Sequence, residues 1–433
     1  MSQPNILYLH SHDTGRYIEP YGHAIPTPNL MDLARRGVLF RRACSMAPTC
    51  SPSRAALLTG QAPHSAGMLG LAHRGFRLHD YGQHIVHTLR AAGYRSTLLG
   101  EQHVAKDATV IGYDEIVPLR STHAQDVGPA AAAFLASAPQ QPFFLDVGFN
   151  ETHREFPEPS AQEDPRYTLP FAALPDTPEV RRDVAAFKAS ARQLDDGIGA
   201  VLHALHEAGL AQNTLILYTA DHGPAFPGMK CTLTDHGIGV SLIMAGPEPF
   251  GGGQVCDALI SHVDVLPTLC AYLGIDAPPW LQGKSFLPVL TGDAAEINDA
   301  TYAEVTYHAA YEPQRSVRTP RHKYIRRFGG RTTPVLPNCD DSPSKNVWLQ
   351  HGWRTKTVDE EQLFDLVFDP LERHNLIAEP GMADVRDDLR ERLSAWMQRT
   401  HDPLLQGPVP APPGLEVNDP DGLSPQEPVH IVA

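Results

Sequence analysis

One stretch stands out for its chemistry. Cys50 is followed by Ser-Pro-Ser-Arg and then by a run of small and apolar residues into Thr59-Gly60, giving CSPSRAALLTG over 50–60. Small and helix-forming residues after Pro52 predict a helix starting at the cysteine. Arg54 then lies one turn on, on the same face as Cys50. A helix N-terminus carries partial positive charge and unpaired N–H groups, so it suits an anion. The other cysteines (Cys44, Cys231, Cys256, Cys270, Cys339) show no Cys-x-x-Cys spacing and are expected to be small buried hydrophobes. The chain's 22 histidines supply ligands and proton carriers.

Composition narrows the class. Hydrophobic residues make up 42% and charged residues 20% of the 433 positions, a globular balance. Lys and Arg number 35 against 50 Asp and Glu, a formal charge of −15, and no long basic stripe is present. Nucleic acid is therefore not an expected partner. No apolar run is long enough for a bilayer, so no membrane span is expected. The N-terminal MSQPNILYLHSHD has no leader-like pattern, and the cytoplasm is the expected compartment.

The elements that must hold these residues alternate. NILYLH (5–10), YRSTLLG (94–100), PFFLDVGF (142–149), TLILYTA (214–220) and GVSLIMAG (239–246) read as buried strands. Helices are predicted over 27–37, with Thr27 as N-cap and Pro28 in the first turn, and over 84–93, 178–209 and 264–274. Such alternation predicts a mainly parallel sheet covered by helices, with chemistry beyond the carboxyl ends of the strands. The polar clusters fall there: HSHD, EQH, NETH and DHG each follow a strand. A boundary is predicted near residue 295. Residues 1–295 would form the main domain. Residues 296–402 would form a smaller α+β subdomain, with a hairpin in SVRTPRHKYIRRF and a helix over 382–399. The proline-rich 403–433 would be an extended tail.

CSPSRAALLTG resembles the sulfatase signature at each fixed position: Cys50, Pro52, Ser53, Arg54, Thr59 and Gly60. The likeness extends over most of residues 4–403, through TPNLMDLARRGVLFRRA, TLILYTADHGPAFPGMK, SHVDVLPTL, GKSFLPVL and LFDLVFDPLERHNL. It is strongest for the branch acting on N-sulfoglucosamine. The resemblance implies an alkaline phosphatase-like α/β fold and a cysteine oxidised to formylglycine by a maturation enzyme. The hydrated aldehyde would attack sulfur with one hydroxyl and expel sulfate through the other. Arg54 would neutralise charge around the diol. His103 would take its proton, and His153 and Lys230 would hold the sulfuryl group and protonate the leaving group.

The family holds a divalent cation with paired acids after the first strand and an Asp-Asn pair after a later one. Here these places read His12-Asp13 and Asp221-His222. Oxygen ligands suit Ca²⁺ and imidazole suits Mn²⁺, Zn²⁺ or Fe²⁺, so Ca²⁺ and Mn²⁺ are both carried forward. His12 either ligates or only neighbours Asp13. Glu101 stands where the family has a lysine against sulfate, with Lys106 nearby. The expected substrate is a sulfate ester or sulfamate, such as a sulfated sugar, and a homodimer is implied by resemblance alone. The alternatives are a phosphonate monoester or phosphodiester hydrolase, favoured by Asp221-His222, and a non-catalytic sulfated-sugar-binding descendant, suggested by Glu101.

Overall fold

The computed structural model describes residues 3–432. Its main sheet has eight strands: β1 (Asn5–Ser11), β2 (Val38–Cys44), β3 (Arg95–Gly100), β4 (Glu115–Val117), β5 (Phe143–Gly148), β6 (Thr214–Ala220), β7 (Leu242–Ala245) and β8 (Gln254–Ser261), in the order β4-β3-β5-β1-β6-β7-β2-β8. Every neighbouring pair is parallel except those made by β7, which runs antiparallel to β6 and β2. β1 lies at the centre, with Ile6 opposite Phe144 of β5 and Leu215 of β6.

Central strands are apolar on both faces because both are covered. Alternation then sends Ile6 and Tyr8 into one core and Leu7 and Leu9 into the other. The first core also takes Leu57 and Leu58 of helix Cys50–Thr59, with Leu266 and Leu269 of helix Val265–Leu273. The second is roofed by helix Pro178–Glu207 through Leu194, Ile198, Val201 and Leu205. Burying each such side chain stabilises the fold by roughly 1.5–3 kcal/mol.

A second, antiparallel sheet comprises β9 (Thr301–Tyr307), β10 (Tyr311–Arg318), β11 (His322–Arg327) and β12 (Glu361–Asp365), ordered β12-β11-β10-β9. Helix Ala383–Arg399 packs on it with Leu389, Leu393 and Trp396, in a cluster that also takes Met46, Ala56 and Val263 from the main-sheet region. Buried ion pairs tie the parts together. Asp235 accepts from Arg318 at 3.0 Å and Lys323 at 2.5 Å, and Arg315 donates to Asp402 at 2.6 Å. The chain after 403 returns to the main core through Ala411 and Leu415 and closes with a two-residue ladder, Glu416–Val417 on His430–Ile431.

Several local expectations change. Thr27 occupies the N-cap place of helix Pro28–Arg36, but its hydroxyl makes no cap bond and instead accepts from the Glu19 amide at 3.2 Å. The strand expected over 239–246 is confined to Leu242–Ala245, because Gly239 only bridges Cys44. β2, β4 and β8 add strands that the apolar pattern did not single out. Among the described residues, no helix is long and apolar enough to cross a membrane.

Candidate active site

The polar clusters converge beyond the carboxyl end of the sheet. β1 and β6 lie side by side, with Ser11 opposite Ala220. Their ends therefore deliver His12-Asp13 and Asp221-His222 to one place. The Asp13 amide donates to Asp221 Oδ1 at 2.8 Å, stitching the two turns together. Asp13 sits at φ 56°, a left-handed backbone that a non-glycine residue rarely takes. Cys50 opens helix Cys50–Thr59 beside them. One donor atom each from His12, Asp13, Cys50, Asp221 and His222 lies within 4.8 Å of all the others, and all five residues are buried.

The donors fit a divalent cation. His222 donates from Nδ1 to the Gly223 carbonyl at 2.9 Å, which leaves the Nε2 lone pair facing Asp13 Oδ1 at 3.2 Å. His12 is buried, yet among the described residues neither ring nitrogen has a hydrogen-bond partner, and Nε2 lies 3.4 Å from Asp221 Oδ2. Burial first, then the neighbouring His153 and Arg54, hold His12 well below the usual imidazole range, hence neutral. An unpartnered buried nitrogen costs about 1–3 kcal/mol, which a bound cation would remove.

Charge balance supports the same reading. Asp13, Asp221 and Asp340 face Arg54 and Lys230, leaving one negative charge; a divalent cation turns that to one positive. Arg54 binds Asp221 Oδ2 through Nε at 3.2 Å and Nη2 at 3.0 Å. Its other side meets His10 Nδ1, and His10 Nε2 donates to Asp146 Oδ1 at 2.9 Å, while the Tyr113 hydroxyl donates to Oδ2. This relay fixes the guanidinium. Gly148 makes room for it: a Cβ there would meet the Glu101 carbonyl at 2.0 Å and His10 Cε1 at 2.4 Å. Lys230 Nζ bridges Asp13 Oδ2 at 2.8 Å and Asp340 Oδ2 at 3.1 Å. Burial opposes its charge, but the two carboxylates hold its pKa well above the usual lysine range.

Two histidines complete the rim. His153 donates from Nδ1 to the Arg154 carbonyl at 2.6 Å, so Nε2 is presented 4.0 Å from Asp13 Oδ2. His103, at φ 54°, shares a 2.9 Å hydrogen bond with His73 through Nε2, and its buried Nδ1 is unpartnered. Its ring lies 5.6 Å from that of His12. All nine expected residues thus gather in one site: Cys50, Arg54, His103, His153, Lys230, His12, Asp13, Asp221 and His222. Glu101 accepts from the Thr122 hydroxyl at 3.3 Å, and Lys106 is exposed. Burial pushes the Cys50 thiol well above its ordinary range, so it is not a poised thiolate.

The sequence reading missed His10, Asp146, Tyr113, His73, His308 and Asp340. Asp146 was visible in principle as a charge inside the apolar PFFLDVGF. His308 and Asp340 come from the C-terminal part, and only tertiary packing brings them to Lys230 and His222.

Comparison with known proteins agrees with this geometry. The sulfatase family model matches residues 4–275, and the model of the N-sulphoglucosamine sulphohydrolase C-terminal region matches residues 229–347. Human N-sulphoglucosamine sulphohydrolase is 30% identical over 495 residues, covering 98% of this chain and 95% of that protein. An ulvan-active sulfatase of Formosa agariphila is 30% identical over 425 residues, covering 95% of this chain and 83% of that protein. A solved structure in complex with D-glucosamine-2-N,6-O-disulfate shares the fold, with a TM-score of 0.74 at 18% identity over 94% of this chain and 99% of that chain. The chain belongs to the sulfatase family, a family of sulfohydrolases.

Proposed function

We propose that the chain hydrolyses a sulfate ester or sulfamate, with an N-sulfoglucosamine-like sugar as the favoured substrate, using a nucleophile made from Cys50. The observation that carries the reading is the place of Cys50. Its Sγ lies at the N-terminus of helix Cys50–Thr59, 3.2 Å from His222 Nε2 and 4.0 Å from Asp13 Oδ1. Oxidation to formylglycine by a maturation enzyme would supply a hydrated aldehyde there in place of a hindered, protonated thiol. His12, Asp13, Asp221 and His222 would hold a divalent cation, which supplies positive charge against the sulfuryl oxygens. Two imidazoles among the four donors favour Mn²⁺ over Ca²⁺.

The chain's other residues have separable tasks. Arg54, fixed by Asp221 and His10, orients the group at position 50 and offsets its charge. Lys230 faces the sulfuryl oxygens, and donors of this kind typically contribute 10²–10³ in kcat. His103 is held neutral by burial and then by His73 and Arg54, so its Nδ1 is suited to accept a proton. His153 presents Nε2 to the leaving group. Glu101 is satisfied by Thr122 and does not replace the family lysine. The test is turnover by matured chain of 4-nitrophenyl sulfate, N-sulfoglucosamine and a phenylphosphonate monoester. The proposal expects the sulfated compounds to be preferred. A higher kcat/KM on the phosphonate would favour the second reading, a phosphonate monoester or phosphodiester hydrolase, which the imidazole ligand His222 supports. Binding of sulfated sugar with no turnover of any compound would favour a non-catalytic descendant.

A further inference from the structure

Asp340 and His308 belong to no task above. Both lie in the C-terminal part, beside Lys230. Asp340 is partly exposed; its buried Oδ2 pairs with Lys230 at 3.1 Å and takes no other hydrogen bond among the described residues. His308 is 6% exposed, its Nδ1 has no partner among the described residues, and its charged or titratable neighbours include Lys230, Asp340, His222 and Arg74. A buried carboxylate oxygen with one partner and a buried imidazole nitrogen with none leave hydrogen-bonding capacity that a ligand can fill. Sulfate does not suit Asp340, since it too is an acceptor and is repelled by the carboxylate. The groups that fit are hydroxyl or amino donors on the other part of the substrate.

A neighbouring cavity carries the same sign. A cavity of about 560 Å³ abuts His153 and is bordered by Glu151, Glu155 and Asp196, and among the described residues no lysine or arginine lines it. A leaving group that extends from Asp340 past His153 into this cavity meets carboxylates in both places.

Resting on the sulfatase reading, we propose that Asp340 and His308 form the leaving-group subsite, accepting hydrogen bonds from hydroxyl or amino groups, and that it selects a leaving group without a second anionic substituent. An amino sugar bearing a single sulfate meets this description; the same sugar with a second sulfate does not.

The test uses unmatured wild-type chain loaded with Mn²⁺, titrated calorimetrically with glucosamine, glucosamine 6-sulfate and inorganic sulfate. Wild type should bind glucosamine about tenfold or more tighter than glucosamine 6-sulfate. Asp340→Asn should weaken glucosamine about tenfold, as expected for loss of a charged acceptor, and leave inorganic sulfate no weaker. His308→Gln gives a second reading of the subsite if Asp340→Asn fails to fold. Absent glucosamine binding to wild type, equal affinity for the 6-sulfate, or an unchanged glucosamine affinity in both variants overturns the proposal. Parallel loss of glucosamine and sulfate also overturns it, since Asp340 would then act only by placing Lys230. Turnover by matured chain is measured alongside: its absence on every sulfated compound overturns the sulfatase reading, while the titrations still judge the subsite.

Discussion

Lys230 is a buried cation between two carboxylates, so replacing it with methionine, which keeps most of the stem, isolates its charge. The ammonium lies 2.8 Å from Asp13 Oδ2 and 3.1 Å from Asp340 Oδ2, and the residue is only 4% exposed. Removing one member of such a set leaves unpaired buried charge and typically costs about 3–5 kcal/mol. Lys230→Met should lose that much in urea unfolding with chelator present. The gap should narrow at lower pH, where the stranded carboxylates can bind protons in the folded state. Saturating Mn²⁺ should narrow it too. An ion at about 100 times its Kd adds about 2.7 kcal/mol, and the freed Asp13 should bind it more tightly in the variant than in wild type. The double variant Lys230→Met/Asp340→Asn should recover about 0.5–3 kcal/mol of the loss. Activity of the matured single variant should stay about 10²–10³-fold down even with metal, because the contact to the sulfuryl oxygens is gone. A Lys230→Met chain within about 0.5 kcal/mol of wild type in chelator would refute the reasoning, since additive surface effects are of that size.

Three further outcomes are expected. His12→Ala should cost less in chelator than a normal buried histidine, because both nitrogens are unpartnered, while most of the stabilisation by Mn²⁺ should vanish; unchanged Mn²⁺ stabilisation would remove His12 from the ligand set. Burial raises the Asp264 carboxyl to about 6, against the Lys284 and Ser261 amides and Asn298, so folding takes up a proton between about pH 4 and 6. Stability should therefore fall as pH rises through that window, by roughly 3 kcal/mol from this group, and the fall should be missing from the matching urea series on Asp264→Asn. Gly148→Ala should cost about 1–3 kcal/mol or more and lower turnover, since its Cβ would press on the Glu101 carbonyl and the His10 ring that steadies Arg54; a stable, fully active variant would contradict the relay.

Much of the site was legible because it is written locally. Cys50 and Arg54 share one helical turn, and the two acidic pairs each end a buried strand whose apolar run is plain. Adjacency of those pairs follows from β1 and β6 being neighbours, a consequence of the parallel architecture. What stayed hidden depends on tertiary packing. Strand direction is not encoded in apolar periodicity, so β7 looked like any other strand although it runs antiparallel. Thr27 had the right type for a cap, but Glu19 offered its hydroxyl another partner. His308 and Asp340 follow no motif. They reach Lys230 only because the second sheet shares a core with the first through Met46, Ala56 and Val263. The role of Glu101 could not be read from charge alone, since its partner Thr122 lies in another loop.

The central claim is that Cys50 is a precursor rather than a working thiol. Cys50→Ala should abolish turnover and leave the fold intact, but the most direct measurement is a peptide mass spectrum across 50–60, on chain produced with a formylglycine-generating enzyme. The account predicts the mass change that converts the thiol to the aldehyde, appearing in step with turnover of a sulfated substrate. An unmodified cysteine in chain that turns over sulfate would contradict it.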